Sequence, residues 1–177
     1  MAIIKTYQKD EAEGELAEIY KEIVKVRGDV MNSHKIFSSS PELLRQQLAF
    51  IKYYANHKTL SMPLLAAIRV LVSTNQECDF CIDFNTAMLV NNAGWSLDQV
   101  SAMREDISQA NLSDNEKSML MFVMKSVQNP LSVNEDDMNT LRSIGWSDQD
   151  ILDATSHATR MVAVDLLFNT FKVDSYE

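Results

Sequence analysis

Two cysteines, Cys78 and Cys81, stand three residues apart and are the only cysteines in the chain. Thiols at this spacing can do redox chemistry when a helix carries them, because positions i and i+3 lie on one face, one turn apart. The run from Gln76 to Asn85 reads as the opening turn of such a helix. A helix N-terminus offers free N–H groups and the positive end of a dipole, and both favour a thiolate. The N-terminus, Met1 to Thr6, has no signal-peptide pattern, so a cytoplasmic location is expected. There thiols stay reduced, and a close pair is catalytic, redox-sensing or metal-binding rather than a static staple. Zinc would need two more ligands. The histidines His34, His57 and His157 offer no paired spacing, so no metal is expected. Four glycines leave no phosphate-cradling loop, so no nucleotide or flavin cofactor is expected either.

A thiol needs a proton acceptor, and the chain offers several candidates. Glu77, Asp79 and Asp83 bracket the pair, and carboxylates close to a sulfur raise its pKa. Asp83 could instead take the thiol proton, although it falls on a different side of the helix from Cys81. His157, in a mostly apolar final helix, reads first as a hydrogen-bonded core residue and second as a substitute base. Tyr53 and Tyr54 follow the apolar positions of their helix and read as packing, with a hydroxyl that could supply a proton near the dithiol. Asn85 could orient a water or donate to a thiolate. His34 and His57 fall in connections and are expected at the surface.

The elements that must position these groups are helices. Gly 4 and Pro 3 are too few for a turn-rich β fold, and long Ala-, Leu-, Met-, Glu- and Lys-rich stretches favour helix. Residues 11–26 alternate apolar and charged faces at helical spacing. Ser40-Pro41-Glu42 opens a helix to about residue 55. Ser61 opens another, and its body from Leu64 to Ser73 is apolar except for Arg69, the mark of a buried helix. The cysteine helix follows and ends at Gly94. Ser96, Ser113 and Ser147 open three more, and a short helix covers residues 134–143. An internal echo joins them: Gly94-Trp95-Ser96 recurs as Gly145-Trp146-Ser147, and Leu60-Ser61 as Leu112-Ser113. Residues of about 60–105 and 112–155 therefore form two related helical units, of which only the first carries cysteines. Trp95 and Trp146 read as packing of equivalent turns. The expected architecture is one all-α, multi-helix domain over residues 1–177, with the cysteine pair at the N-terminus of a central helix.

In its ordered motifs the chain resembles the alkylhydroperoxidase D-like, or carboxymuconolactone decarboxylase-like, superfamily, in its peroxidase-related branch. The resemblance runs through Gly14 to Tyr20, Ser40 to Leu44, Leu60-Ser61, Cys78-x-x-Cys81, Ala93 to Ser96, Leu112-Ser113 and Phe168-Asn169. It implies an all-helical fold that assembles as a homo-oligomer, a trimer or hexamer. It also implies a thiol-dependent peroxidase: one cysteine attacks a hydroperoxide, the other resolves the sulfenic acid as a disulfide, and an external dithiol or disulfide reductant restores the pair. Two positions depart from the family motif. Ala66 stands where the motif has Glu, and Asn85 where it has His, so the usual proton relay is missing.

The expected function is a thiol–disulfide oxidoreductase acting on small hydroperoxides through Cys78 and Cys81. The family's lactone-acid decarboxylase or isomerase chemistry is a rival, but only Arg69 interrupts the buried helix to bind an anion. A third reading is a degenerate oligomeric scaffold or redox sensor that kept the fold and lost the relay. A net charge of -9 argues against nucleic acid, and no apolar run is long enough for a membrane span.

Overall fold

The computed structural model describes residues 2–174. Among these residues it is all helical, with no strand. Its α-helices are α1 (Gly14–Arg27), α2 (Asn32–Lys35), α3 (Pro41–Ala55), α4 (Met62–Asn75), α5 (Asp79–Ala93), α6 (Leu97–Glu105), α7 (Asp114–Gln128), α8 (Glu135–Ser143) and α9 (Asp148–Phe171). They form two compact units. One contains the chain up to Asn56 with the segment from Leu167 onward, and the other runs from His57 to Leu166.

In the first unit, α1 buries Leu16, Ile19, Tyr20 and Ile23, the stripe its periodicity predicts, and packs on α3. The helix begins at Gly14 rather than at residue 11. Glu11 is used in a turn before it, where its carboxylate accepts from the Gln8 N–H at 2.7 Å. The Tyr20 hydroxyl donates to the Tyr7 carbonyl at 2.9 Å, and the Ile3 N–H to the Phe171 carbonyl at 2.9 Å, which ties the segment before α1 to α1 and to the last residue of α9. The stretch after Gly28 holds α2, a single turn that its sequence pattern did not announce. His34 lies within that turn and is buried at 2% exposure, against the expectation of a surface residue. Val30, Ile36 and Phe37 around it are buried too. Burial, helped by nearby Arg27, pushes its pKa down to about 4.

In the second unit α4 is the centre. Every residue from Leu64 to Ser73 except Arg69 is buried, and α4 packs on α5, α6 and α7. Each fully buried aliphatic side chain here, such as Leu64, Ile68 or Val72, contributes about 1.5–3 kcal/mol relative to exposure. Ser61 caps α4 by accepting from the Leu64 N–H, and Ser113 caps α7 in a capping box with Glu116. The two caps are the Leu-Ser positions of the internal repeat, and one carboxylate joins them. Glu116 accepts from Ser61 Oγ at 2.5 Å and from Ser113 Oγ at 2.8 Å. Trp95 and Trp146, the other matching pair, are both buried. Both copies of the repeat thus lie within this unit. His57, also expected at the surface, has a side chain only 6% exposed. Its Nδ1 accepts from the Leu60 N–H at 3.1 Å and its Nε2 meets Asp153 at 3.1 Å, so it holds the approach to α4 against α9.

No helix among the described residues is long and apolar enough to cross a membrane.

Candidate active site

The turn between α4 and α5 places the first cysteine. The Cys78 N–H bonds the Ser73 carbonyl at 3.0 Å, and the Glu77 N–H bonds the Thr74 carbonyl at 3.2 Å. This is the 6→1 and 5→2 pairing of a Schellman motif. The residue it requires in the left-handed region is usually Gly, but here it is Glu77, at φ +52°. The chain leaves the turn at Cys78, the N-cap of α5, and Cys81 follows one helical turn on. Gly94, at φ 71° and ψ 21°, ends that helix in the left-handed conformation its sequence predicts.

Both sulfurs are free thiols and buried, at 1% and 3% exposure. A third group joins them that the sequence did not single out. Asp165, on α9, is fully buried, and one of its carboxylate oxygens and the two sulfurs all lie within 4.8 Å of one another. Ser73, on α4, donates its hydroxyl to Asp165 Oδ1 at 3.1 Å. Oδ2 has no conventional hydrogen-bond partner among the described residues. Burial raises the Asp165 pKa to about 6, against weak stabilisation of the anion by Cys81, Ser73 and Cys78. The Cys81 thiol is pushed up, first by its hydrogen bond with Cys78, then by burial and by the Asp165 charge.

One helical turn deeper lies a second polar layer, with Arg69 at its centre. Arg69 Nε donates to Asn85 Oδ1 at 2.5 Å, and Nη1 donates to His157 Nε2 at 3.0 Å. Asn85 Nδ2 donates to the Cys81 carbonyl at 2.8 Å. The Asn85 amide is therefore engaged with a guanidinium and with the backbone of Cys81. Burial lowers the Arg69 pKa to about 10, opposed by the Cys81 sulfur, so the guanidinium stays charged at neutral pH. Burial and then the Arg69 charge lower the His157 pKa to about 3. His157 is a neutral imidazole whose Nε2 lone pair is taken by Arg69.

The other residues singled out in the sequence are not among the groups these contacts bring together. Asp83 is exposed on α5. Tyr53 belongs to the first unit, is 47% exposed, and meets Tyr54 edge-on with ring centroids 5.0 Å apart. Ala66, where the motif of the superfamily the chain resembles has Glu, is a fully buried core residue of α4. Asp165 did leave a signal in the sequence. Ala154, Ala158, Met161, Asp165 and Phe168 are all buried on α9 at a spacing of three and four. A lone carboxylate in an apolar stripe is the informative exception to hydrophobic burial.

No family model matches the chain, and no curated protein matches it in sequence. Solved structures do match in fold. The alkylhydroperoxidase AhpD core of an uncharacterized peroxidase-related protein from Ralstonia eutropha JMP134 superposes with a TM-score of 0.83 at 19% identity, over 99% of this chain and 93% of that one. An uncharacterized peroxidase-related protein from Silicibacter sp. TM1040 gives 0.84 at 20% identity, over 98% and 91%. A cysteine-to-alanine variant of the debrominase Bmp8, in complex with 2,3,4-tribromopyrrole, gives 0.76 at 13% identity, over 99% and 94%. The chain thus has the alkylhydroperoxidase D-like fold, in the form seen in peroxidase-related proteins, as its motifs led us to expect. At these identities the likeness extends to the fold and no further.

Proposed function

We propose that the protein is a thiol–disulfide oxidoreductase that reduces small hydroperoxides through Cys78 and Cys81, with Asp165 handling the proton. One observation carries this reading: a buried carboxylate sits with both sulfurs, all three donor atoms within 4.8 Å, where the chain lacks the family's usual relay. The Cys81 thiol is pushed up, so it keeps its hydrogen and donates it toward Cys78. Cys78, at the N-cap of α5, then acts first. Its proton passes to Asp165, and the thiolate attacks the terminal peroxide oxygen. An S–O bond forms, the O–O bond breaks, and the alkoxide leaves as an alcohol after taking the proton back. The sulfur is oxidised by two electrons and the peroxide reduced by two. Cys81 then attacks the Cys78 sulfur. The S–S bond forms, and the departing hydroxide takes the Cys81 proton and leaves as water. An external dithiol returns the pair to its reduced state, which suits a reducing compartment such as the cytoplasm, and the working form is a homo-oligomer.

Peroxide consumption with a dithiol reductant tests the proposal. Wild type should turn over, and Cys78→Ser and Cys81→Ser should both abolish turnover. Asp165→Asn should slow it about 10²–10⁴-fold, the range of a lost general base. Wild-type activity should rise with pH through about 6, as the carboxylate ionises. A sulfenic-acid trap should label Cys78 in Cys81→Ser and should not label Cys81 in Cys78→Ser. The opposite labelling would reverse the assigned order, and turnover that survives in Asp165→Asn would remove the carboxylate from the mechanism.

Burial of both sulfurs favours a second reading, a redox sensor or scaffold without turnover, since deeply buried cysteines are poor nucleophiles toward external substrates. Intact-mass measurement under oxidant and reductant separates the two. A reversible loss of two hydrogens without peroxide consumption is the sensor outcome. The debrominase on the same fold makes a brominated pyrrole a second electron acceptor for the same assay.

A further inference from the structure

We propose that the reduced protein has a metal site of its own: Cys78, Cys81 and Asp165 together bind a thiophilic divalent cation of the zinc class. This requires only reduced sulfurs and the carboxylate, and it does not rest on the peroxidase reading.

The donor set comes first. Two sulfurs and one carboxylate oxygen lie within 4.8 Å of one another, and all three residues are buried. Tetrahedral zinc, with Zn–S near 2.3 Å and Zn–O near 2.1 Å, needs ligand atoms roughly 3.5–3.8 Å apart. A contraction of about 1 Å brings them there, within the reach of small side-chain rotations. The histidines offer no paired spacing to the cysteines in sequence, and the fold supplies Asp165 from another helix instead.

The state of the Asp165 carboxylate is the second observation. Asp165 is 0% exposed, and its Oδ2 is buried without a conventional hydrogen-bond partner among the described residues. A buried carboxylate oxygen left in this state is normally costly. Ser73 donates to Oδ1 and so fixes the orientation of the carboxylate, the role that supporting hydrogen bonds play around metal ligands. Charge supplies a third argument. Two thiolates and one carboxylate carry three negative charges, and a divalent cation leaves one. Arg69, close enough to the Cys81 sulfur for the two to interact, supplies the remaining positive charge. The cluster is then neutral in a buried setting, which the three anions alone would not be.

Three protein ligands leave the fourth tetrahedral position open, unlike a closed structural zinc site. Binding converts two thiols and the cation into a dithiolate complex and releases two protons, with no change in oxidation state. The disulfide removes both thiolates, so oxidation and metal binding exclude each other. Metal in the site would silence the dithiol, and oxidation would expel the metal.

Cobalt(II), as a coloured stand-in for zinc, tests the site on the reduced full chain under anaerobic conditions. The expected result is a thiolate-to-cobalt charge-transfer band with tetrahedral d–d absorption, saturating at one ion per chain and bleached by added zinc. Peroxide or a disulfide oxidant should abolish it. Cys78→Ser and Cys81→Ser should lose the band. Asp165→Asn should weaken cobalt at least tenfold, and Ser73→Ala about 10–100-fold, as for other supporting ligand contacts. Circular dichroism checks that each variant is folded, and Ser73→Ala carries the test if Asp165→Asn does not fold. No thiolate band in reduced wild type would overturn the proposal, as would unchanged affinity in both the Asp165 and Ser73 variants. Disulfide formation, followed by mass on the same samples, reads the redox proposal separately. A chain that forms the disulfide but takes no cobalt loses only the metal site.

Discussion

Asp165→Asn is the substitution that most sharply tests the chemistry of the buried cluster, because its effect on stability must depend on pH. The carboxyl has a pKa of 3.8 when unperturbed and about 6 in the folded protein. The folded form therefore binds this proton more tightly than the unfolded form. Between the two values the native state holds more protons, so the stabilising contribution is fully present below about pH 4 and is lost as the pH rises through about 6. A rise of this size in the carboxyl pKa corresponds to about 3 kcal/mol. The variant removes the ionisation but also replaces an acceptor oxygen beside the thiols, a loss of about 1 kcal/mol. It should be slightly less stable than wild type at pH 4 and about 2 kcal/mol more stable at pH 8. Urea unfolding of both proteins, fully reduced and across this range, measures the difference curve. Carboxyls common to the two chains cancel in it, so the swing of about 3 kcal/mol belongs to this one group. A flat difference curve would refute the reasoning, and so would a wild type that gains on the variant as pH rises.

Four further substitutions probe the turn before Cys78, the polar layer around Arg69 and the paired helix caps. Glu77→Gly relieves a left-handed residue at the Schellman turn, and should raise the urea midpoint by the equivalent of about 1 kcal/mol; a loss of stability would mean the Glu77 side chain holds the turn. Arg69→Met leaves Asn85 Oδ1 and His157 Nε2 without their donor in a buried layer, and should cost about 2–4 kcal/mol in the same assay. It should also raise the His157 pKa, followed by NMR, because the Arg69 charge is one of the causes holding it down. Ser61→Ala and Ser113→Ala should each cost about 1 kcal/mol as lost caps. In a double-mutant cycle they should deviate from additivity by more than about 0.5 kcal/mol, because Glu116 joins both hydroxyls; strict additivity would mean the two caps act separately.

Local signals made most of the fold legible. Ser61, Ser96 and Ser113 cap the helices their motifs announce, Gly94 ends α5, and the apolar run after Ser61 is the buried α4. These features depend on neighbours within one turn, which the sequence displays directly. The errors fell where burial is decided by distant chain. His34 and His57 lie in connections, and local polarity placed them at the surface. His34 is buried at 2% exposure, and His57 meets Asp153 across 96 residues. Asp165 is the most consequential case. Its partners are Ser73, Cys78 and Cys81, and only the docking of α9 against α4 and α5 brings them together. Its place in the α9 stripe marked it as an exception, but the identity of its partners was not encoded nearby.

On the reading proposed above, the groups that serve the thiols come from a different helix. The motif of the superfamily the chain resembles would place a carboxylate at position 66 on α4 and an imidazole at position 85 on α5, both on elements adjoining the cysteines in sequence. Here Ala66 closes the core, and Asn85 is bound by Arg69. The carboxylate and the imidazole are both present, but α9 carries them, as Asp165 and His157. α4 keeps only supporting roles: Ser73 orients the carboxylate and Arg69 holds the imidazole. The two groups differ in what they can do. His157 gives its Nε2 lone pair to a guanidinium and stays neutral well below physiological pH, so it cannot take a thiol proton without first breaking that bond. Asp165 lies beside both sulfurs with a pKa near 6, ionised at neutral pH yet easily reprotonated. In the mechanism we propose, proton handling by the dithiol falls to Asp165, while the Arg69–His157 contact joins α4 to α9 beside it.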